Sequence, residues 1–157
     1  FSINELIDET VQDINYTNTQ HTIEVDHKFK CNVFADKDRI GQVLINFITN
    51  AIKYSPNSQM IQVRIVKEGK DQVAVHVRDK GIGIATKNHK KIFRRFYRVG
   101  GKSEETYSGF GIGLYLANEV IQRHKGTIAL ESKVGEGSDF IFTLKTASEE
   151  NIKQKED

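Results

Sequence analysis

At 157 residues the chain has room for one domain with a substantial core. A net charge of +2, with both signs mixed along the chain, gives no case for nucleic acid, and a single cysteine, Cys31, excludes an internal disulfide and fits a reducing compartment. No apolar run approaches the roughly 20 residues of a membrane span, and neither a signal peptide nor an initiator Met is visible, so an excised cytoplasmic domain without membrane contact is expected, any anchor of the parent protein lying elsewhere.

Phe1 to Asn18 places Ile3, Leu6, Ile7, Val11 and Ile14 at helical spacing, and Ser2 with Glu5 fits a capping box. His21 to Asp26 and Cys31 to Ala35 read as two short strands around a polar turn, with Cys31 packing rather than reacting.

Asp36 to Ser55 predicts the helix around which the chain is organised. Asp36 or Asp38 caps it and Pro56 marks its end. Ile40, Leu44, Ile45, Phe47, Ile48, Ala51 and Ile52 share its apolar arc. The other side carries Arg39, Gln42, Asn46, Asn50 and Lys53, with Tyr54 at its edge. Asn46 and Asn50 are four apart and share a face. Asn is a mediocre helix former, yet its amide oxygen ligates a hard cation without adding charge, and a neighbouring lysine holds phosphate. Two readings stand open here: a Mg²⁺ and phosphate face, or a solvated face with two incidental Asn.

Met60 to Val66 and Gln72 to Arg78 alternate apolar and polar residues around Glu68-Gly69-Lys70-Asp71, which predicts an antiparallel hairpin with one buried face. Asp79-Lys80-Gly81-Ile82-Gly83-Ile84 follows, a turn by its glycines, or an acid aimed from a strand end at a ligand that the glycines let approach. In Lys90 to Val99, Ile92, Phe93 and Phe96 sit at i, i+1 and i+4, which predicts a helix that buries all three rather than stacks bases.

Gly100 to Gly113 is polar and glycine-rich, long enough to need a function or to be disordered. Gly101-Lys102-Ser103 does not end a P-loop, because Phe96 stands where the first glycine must be. Gly109, Gly111 and Gly113 are spaced by two and two, not by the two and three of a dinucleotide fingerprint. A glycine-rich helix entry remains, whose backbone N–H groups can grip phosphate. Ile112 to His124 predicts a helix with Leu114, Leu116, Ala117, Val120 and Ile121 inside and Gly126 at its stop. Thr127 to Val134 and Ser138 to Leu144 form a closing hairpin around Gly135-Glu136-Gly137, and the polar tail from Ala147 to Asp157 is expected to be frayed or disordered.

Asn-x-x-x-Asn-Ala-x-Lys-Tyr-Ser at Asn46 to Ser55 resembles the N box of sensor histidine kinases, within the ATP-binding superfamily shared with gyrase. The Asp79 turn resembles the G1 box, Lys90 to Val99 the F box, and Gly109 to Leu114 the G2 box. The family's usual His-Gly-Gly stands here as His124-Lys125-Gly126. Four boxes in order, over about Phe1 to Thr146, imply one catalytic ATP-binding domain at 1–146, with 147–157 as tail. The implied fold is a two-layer α/β sandwich of the Bergerat type, a mixed sheet of about five strands packed on three helices.

The resemblance also implies roles and partners. Asn50 ligates Mg²⁺ with Asn46 beside it, Lys53 contacts the ATP phosphates, and Tyr54 lines the adenine side. Asp79 reads the adenine in a pocket shaped by Gly81 and Gly83. Gly109, Gly111, Gly113 and Leu114 shape the phosphate lid, and Arg98 resembles a basic residue near the γ-phosphate. Hydrolysing members such as gyrase carry Glu where Asn46 stands, and an amide cannot act as general base. The implied reaction is therefore transfer of the γ-phosphoryl group to a histidine on a separate dimerisation hairpin, with a response regulator downstream and the isolated domain monomeric. An anti-sigma-type serine kinase and a non-catalytic nucleotide-sensing module are the alternatives.

Overall fold

The computed structural model describes residues 1–18, 20–56, 60–97 and 112–148. Among the described residues five strands form one mixed sheet in the order β1-β2-β3-β5-β4. They are β1 (Thr22–Val25), β2 (Met60–Glu68), β3 (Gln72–Asp79), β4 (Ile128–Lys133) and β5 (Gly137–Lys145). Only β1 and β2 pair in parallel, as the long helix between them requires; every other pair is antiparallel. Three α-helices occur among the described residues: α1 (Ile3–Asn15), α2 (Lys37–Lys53) and α3 (Gly113–Arg123).

The helices cover one face of the sheet. Alternate residues of β2, β3 and β5, among them Ile61, Val63, Val75, Val77, Phe140 and Phe142, point into that layer and are buried. Phe47 of α2 meets the rings of Phe140 and Phe142 at 5.4 and 5.6 Å, at tilted and edge-on angles that suit their quadrupoles. On the opposite face Asp139 is buried beside His76, whose Nδ1 lies 3.0 Å from its carboxylate, and the Arg64 guanidinium at 3.9 Å.

Caps set the helix ends. Ser2 Oγ accepts the Glu5 N–H, which is half of the expected capping box. Asp36, not Asp38, caps α2 by accepting the Arg39 N–H. The Asp36 N–H in turn donates to His124 Nε2 at 3.1 Å, while His124 Nδ1 bonds the Val120 carbonyl at 2.8 Å. His124 is thus a structural clamp from the end of α3 to the start of α2.

The end of α3 is a Schellman turn. Gly126 N–H returns to Ile121 O and Lys125 N–H to Gln122 O. Lys125 occupies the left-handed position at φ 58° that such a turn ordinarily gives to glycine. Lys125→Gly should therefore stabilise the domain by about 0.5–1 kcal/mol, a rise of about 1–4 °C in Tm, after the larger unfolded-state entropy of glycine is subtracted. Thermal unfolding of the two proteins checks this.

Four sequence expectations are corrected. Cys31 to Ala35 is not a strand; Asn32 and Val33 make isolated bridges to Ser2 and Thr146. Its backbone goes instead to α1, with Ile3 N–H donating to Cys31 O and Cys31 N–H to Asn4 Oδ1. Ile45 is 42% exposed and Val43 is buried in its stead, since Ile45 lies roughly 130° from the middle of the buried arc. Leu116 is turned outward at 53% exposure, and Ala117 and Ile121 carry the buried side of α3. Over its described part, Lys90 to Tyr97, the expected helix at Lys90 to Val99 is not an α-helix. Single 3₁₀ turns form at Thr86–Asn88 and Lys91–Phe93, Arg94 leaves the second in extended conformation, and Phe96 sits at φ 63°. Ile92 is buried and Phe93 packs on Phe140, but the break turns Phe96 out to 60% exposure.

Candidate functional site

The polar face of α2 borders a cavity of about 150 Å³, lined by Asn46, Thr49, Asn50, Lys53, Ile92, Tyr97, Gly113 and Leu114. Helical spacing alone brings Asn46, Thr49, Asn50 and Lys53 onto one face. Asn50 Nδ2 donates to Asn46 Oδ1 at 3.2 Å, so the Asn46 oxygen is engaged by its neighbour, and the pair is oriented as a unit. Thr49 satisfies its hydroxyl on the Ile45 carbonyl, within its own helix.

Gly113 opens α3 directly against Asn46. A Cβ there would fall 2.2 Å from Asn46 Nδ2, so any side chain at this position would displace the Asn46 amide. Among the described residues the lining holds no carboxylate and no histidine, and its one cation is Lys53.

A second group forms just past the end of α2. Ile82 N–H donates to the Tyr54 carbonyl at 3.0 Å, and Gly135 N–H donates to the Ile82 carbonyl at 2.8 Å. The turn after β3 is thereby held between α2 and the β4–β5 turn. Gly81 lies so close to Tyr54 O that a Cβ would approach it to 1.9 Å. Gly83, at φ 71°, lies as close to Lys133 O. Ile84 N–H donates to Ser132 Oγ at 2.7 Å, which extends the grip along β4.

Asp79 closes β3 in this setting, 4% exposed, with Oδ1 accepting the Gly81 N–H at 2.8 Å. Burial pushes its carboxyl up to about 6 from an ordinary 3.8. The N–H groups of Gly81 and Ser138 oppose that rise, and the Asp139 carboxylate adds to it. A carboxyl buried at such cost beside constrained glycines is the kind of perturbed group that clusters at functional sites.

Of the residues expected from sequence, Asn46, Asn50, Lys53, Gly113 and Leu114 meet at the cavity, while Tyr54, Asp79, Gly81 and Gly83 meet at the turn. Arg98, Gly109 and Gly111 lie outside the described residues, as does most of the expected lid. Thr49, Ile92 and Tyr97 line the cavity without having been singled out as site residues. Thr49 was visible as a polar residue three after Asn46 and four before Lys53; Tyr97 carried no such spacing signal.

A five-stranded mixed sheet under three helices, with paired Asn on the central helix and a strand-end Asp before two glycines, defines a nucleotide-binding class. The chain belongs to the histidine kinase-, DNA gyrase B- and HSP90-like ATPase family, which it matches over residues 35–148. Sensor histidine kinase WalK of Bacillus subtilis is 43% identical over 69% of this chain, and adaptive-response sensory-kinase SasA of Prochlorococcus marinus is 40% identical over 79%. The chain spans only 18% and 33% of those two proteins. The solved catalytic domain of histidine kinase ThkA superposes with a TM-score of 0.71 at 28% identity, covering 94% of this chain and 98% of that one.

Proposed function

We propose that this domain binds ATP with Mg²⁺ and transfers the γ-phosphoryl group to a histidine on a separate helical hairpin, as the cytoplasmic catalytic domain of a sensor histidine kinase that feeds a response regulator. The observation that carries this reading is the cavity on α2. It gathers two amide side chains and a lysine for phosphate and cation, and among the described residues its lining offers no group to activate water.

Asp79 accepts the adenine amino hydrogen in this reading, with Tyr54, Gly81 and Gly83 shaping that end. Lys53 meets the phosphates, and Gly113, with Gly109, Gly111, Leu114 and Arg98, closes over them. A volume of 150 Å³ suits phosphate groups rather than a whole nucleotide, which fits a site split between the cavity and the turn.

The donor set fits a magnesium ion. Among the described residues no group of three His, Cys, Asp or Glu is placed to hold a metal, so a cation here would rely on phosphates, waters and an uncharged oxygen. The Asn50 to Asn46 hydrogen bond engages the Asn46 oxygen, which leaves Asn50 as the ligand and Asn46 as the residue that orients it. When bound, Mg²⁺ neutralises charge on the transferring phosphoryl group.

The chain alone, incubated with radiolabelled ATP, should bind it, label itself at no histidine and turn it over slowly. Its described histidines all serve the fold: His21, His89 and His124 bond backbone carbonyls, while His76 bonds Asp139 and His27 reaches Asp8. Adding a histidine-bearing helical hairpin should restore transfer, giving an acid-labile product. An acid-stable product would favour the serine kinase. Rapid turnover without a hairpin would favour the hydrolysing branch of the family.

A further inference from the structure

The segment from the Asp79 turn to the cavity carries positive charge only. Lys80 to Tyr97 contains Lys80, Lys87, Lys90, Lys91, Arg94 and Arg95 and no Asp or Glu, and all six are exposed. With a net charge of +2 overall, the rest of the chain is net negative. Much of that negative charge lies on α1, whose exposed side shows Glu5, Asp8, Glu9 and Asp13. Helix α1 packs over the β1 edge of the sheet, whereas the basic segment packs on α3, beyond α2. Lys37 offsets Glu9 of α1 at 3.5 Å, so the charge asymmetry resides in the basic segment, which holds no acid of its own.

The basic segment is also held in place. His89 Nε2 bonds the Ile84 carbonyl at 2.8 Å, and Tyr97 donates its hydroxyl proton to Asn88 Oδ1 at 2.9 Å. Ile92 is buried and Phe93 sets its ring edge-on to Phe140. Arg95 lies over the Phe96 ring at 4.9 Å. Ile92 and Tyr97, from this same segment, line the cavity, so Lys91, Arg94 and Arg95 stand within three residues of its lining along the chain.

Of the cavity's polar lining among the described residues, Asn46, Thr49, Asn50 and Tyr97 are neutral, and Lys53 alone is charged, one cation against several phosphate charges. A triphosphate is a polyanion, and the field that draws it in must come from nearby. At physiological salt that field reaches about 8 Å, the distance over which rim charges act.

We infer that the Lys80–Arg95 arm is an electrostatic guide that sets the rate at which the anionic nucleotide is captured, without holding it once bound. The inference rests on the nucleotide reading above. It assigns these residues to association, where charges at a rim act, rather than to affinity through contact.

The test is stopped-flow association of a fluorescent ATP analogue with the whole domain across a salt series. The variant Lys87→Gln, Lys90→Gln, Arg94→Gln, Arg95→Gln is compared with Lys28→Gln, Lys30→Gln, Lys67→Gln, Lys70→Gln, which removes equal charge away from the cavity. At low salt the first set should slow association by about tenfold or more, with dissociation changed less than twofold, and the deficit should vanish near molar salt. The second set should slow it by less than threefold. The unmodified domain's own association rate should fall steeply with salt, a readout that does not depend on any variant folding. Association insensitive to salt, equal slowing by both sets, or an effect confined to dissociation overturns the guide while leaving nucleotide binding intact. Failure of the unmodified domain to bind the analogue at all overturns the nucleotide reading and the guide with it.

Discussion

Asp79→Asn is expected to weaken ATP binding by roughly 5- to 150-fold, the loss of about 1–3 kcal/mol for one buried charged hydrogen bond. The carboxylate accepts on both oxygens, whereas an amide turns an NH₂ toward the adenine amine or toward the turn's own N–H groups. Titration of a fluorescent ATP analogue measures the loss; equal affinity would remove Asp79 from the site. The same substitution has a signature in the free domain. The folded-state carboxyl titrates near 6 and the unfolded one near 3.8. A group with a raised folded value contributes its stability below the unfolded value and loses it as pH rises through the folded one. The stability difference, wild type minus Asp79→Asn, should thus fall between about pH 4 and pH 7, by an amount on the order of 2–3 kcal/mol. Urea midpoints at several pH values read it. A difference independent of pH would mean that Asp79 is not strained by burial. In the proposed reading nucleotide uses the ionised form that folding disfavours, so ligand binding and stability should respond to pH in opposite directions.

Asn50→Ala is expected to reduce phosphoryl transfer to a histidine-bearing hairpin by about 100-fold or more, while binding of ADP without metal changes little. A metal ligand matters most where charge develops, so its loss is felt in the transition state before the ground state. The helix should survive, since alanine is the better helix former and the Asn46 partner remains half-solvated. Single-turnover transfer and metal-free ADP titration separate the two effects. Equal loss in both would argue for a structural role through Asn46 rather than a metal role.

The sequence made the sheet, the hairpins and α2 legible because alternation and helical spacing report burial directly. Asp36, Ile40, Phe47 and Ala51 stand where spacing put them. Spacing failed where the backbone leaves a regular period. Phe96 was expected inside a helix, but its left-handed φ, set by a broken 3₁₀ turn, has no signature in apolar spacing. Cys31 to Ala35 looked like a strand because it is apolar, yet its donors and acceptors belong to α1 and the end of β5. At the site, the Asn pair and Asp79 were visible through their unusual residue types. The grip of Ser132 and Lys133 on the turn was not, since it is made some fifty residues away, by a serine hydroxyl and by a carbonyl close to Gly83.

That grip has a consequence for how the domain comes into being. The Asp79 turn is bounded by the carbonyl of Tyr54 on one side and by Lys133, Gly135 and Gly137 on the other. A nascent chain that has emerged only as far as α3 holds every cavity residue, yet nothing fixes Asp79 against β5 or seats the turn's glycines. The Asp79 turn, the adenine end of the proposed site, is finished last, by the final hairpin, so a chain stopped before that hairpin carries only part of the proposed site. Such long-range closure slows folding compared with a helical bundle of equal length. On the proposed reading, ATP binding then marks the closing of the last hairpin, because both ends of the site exist only once it has formed.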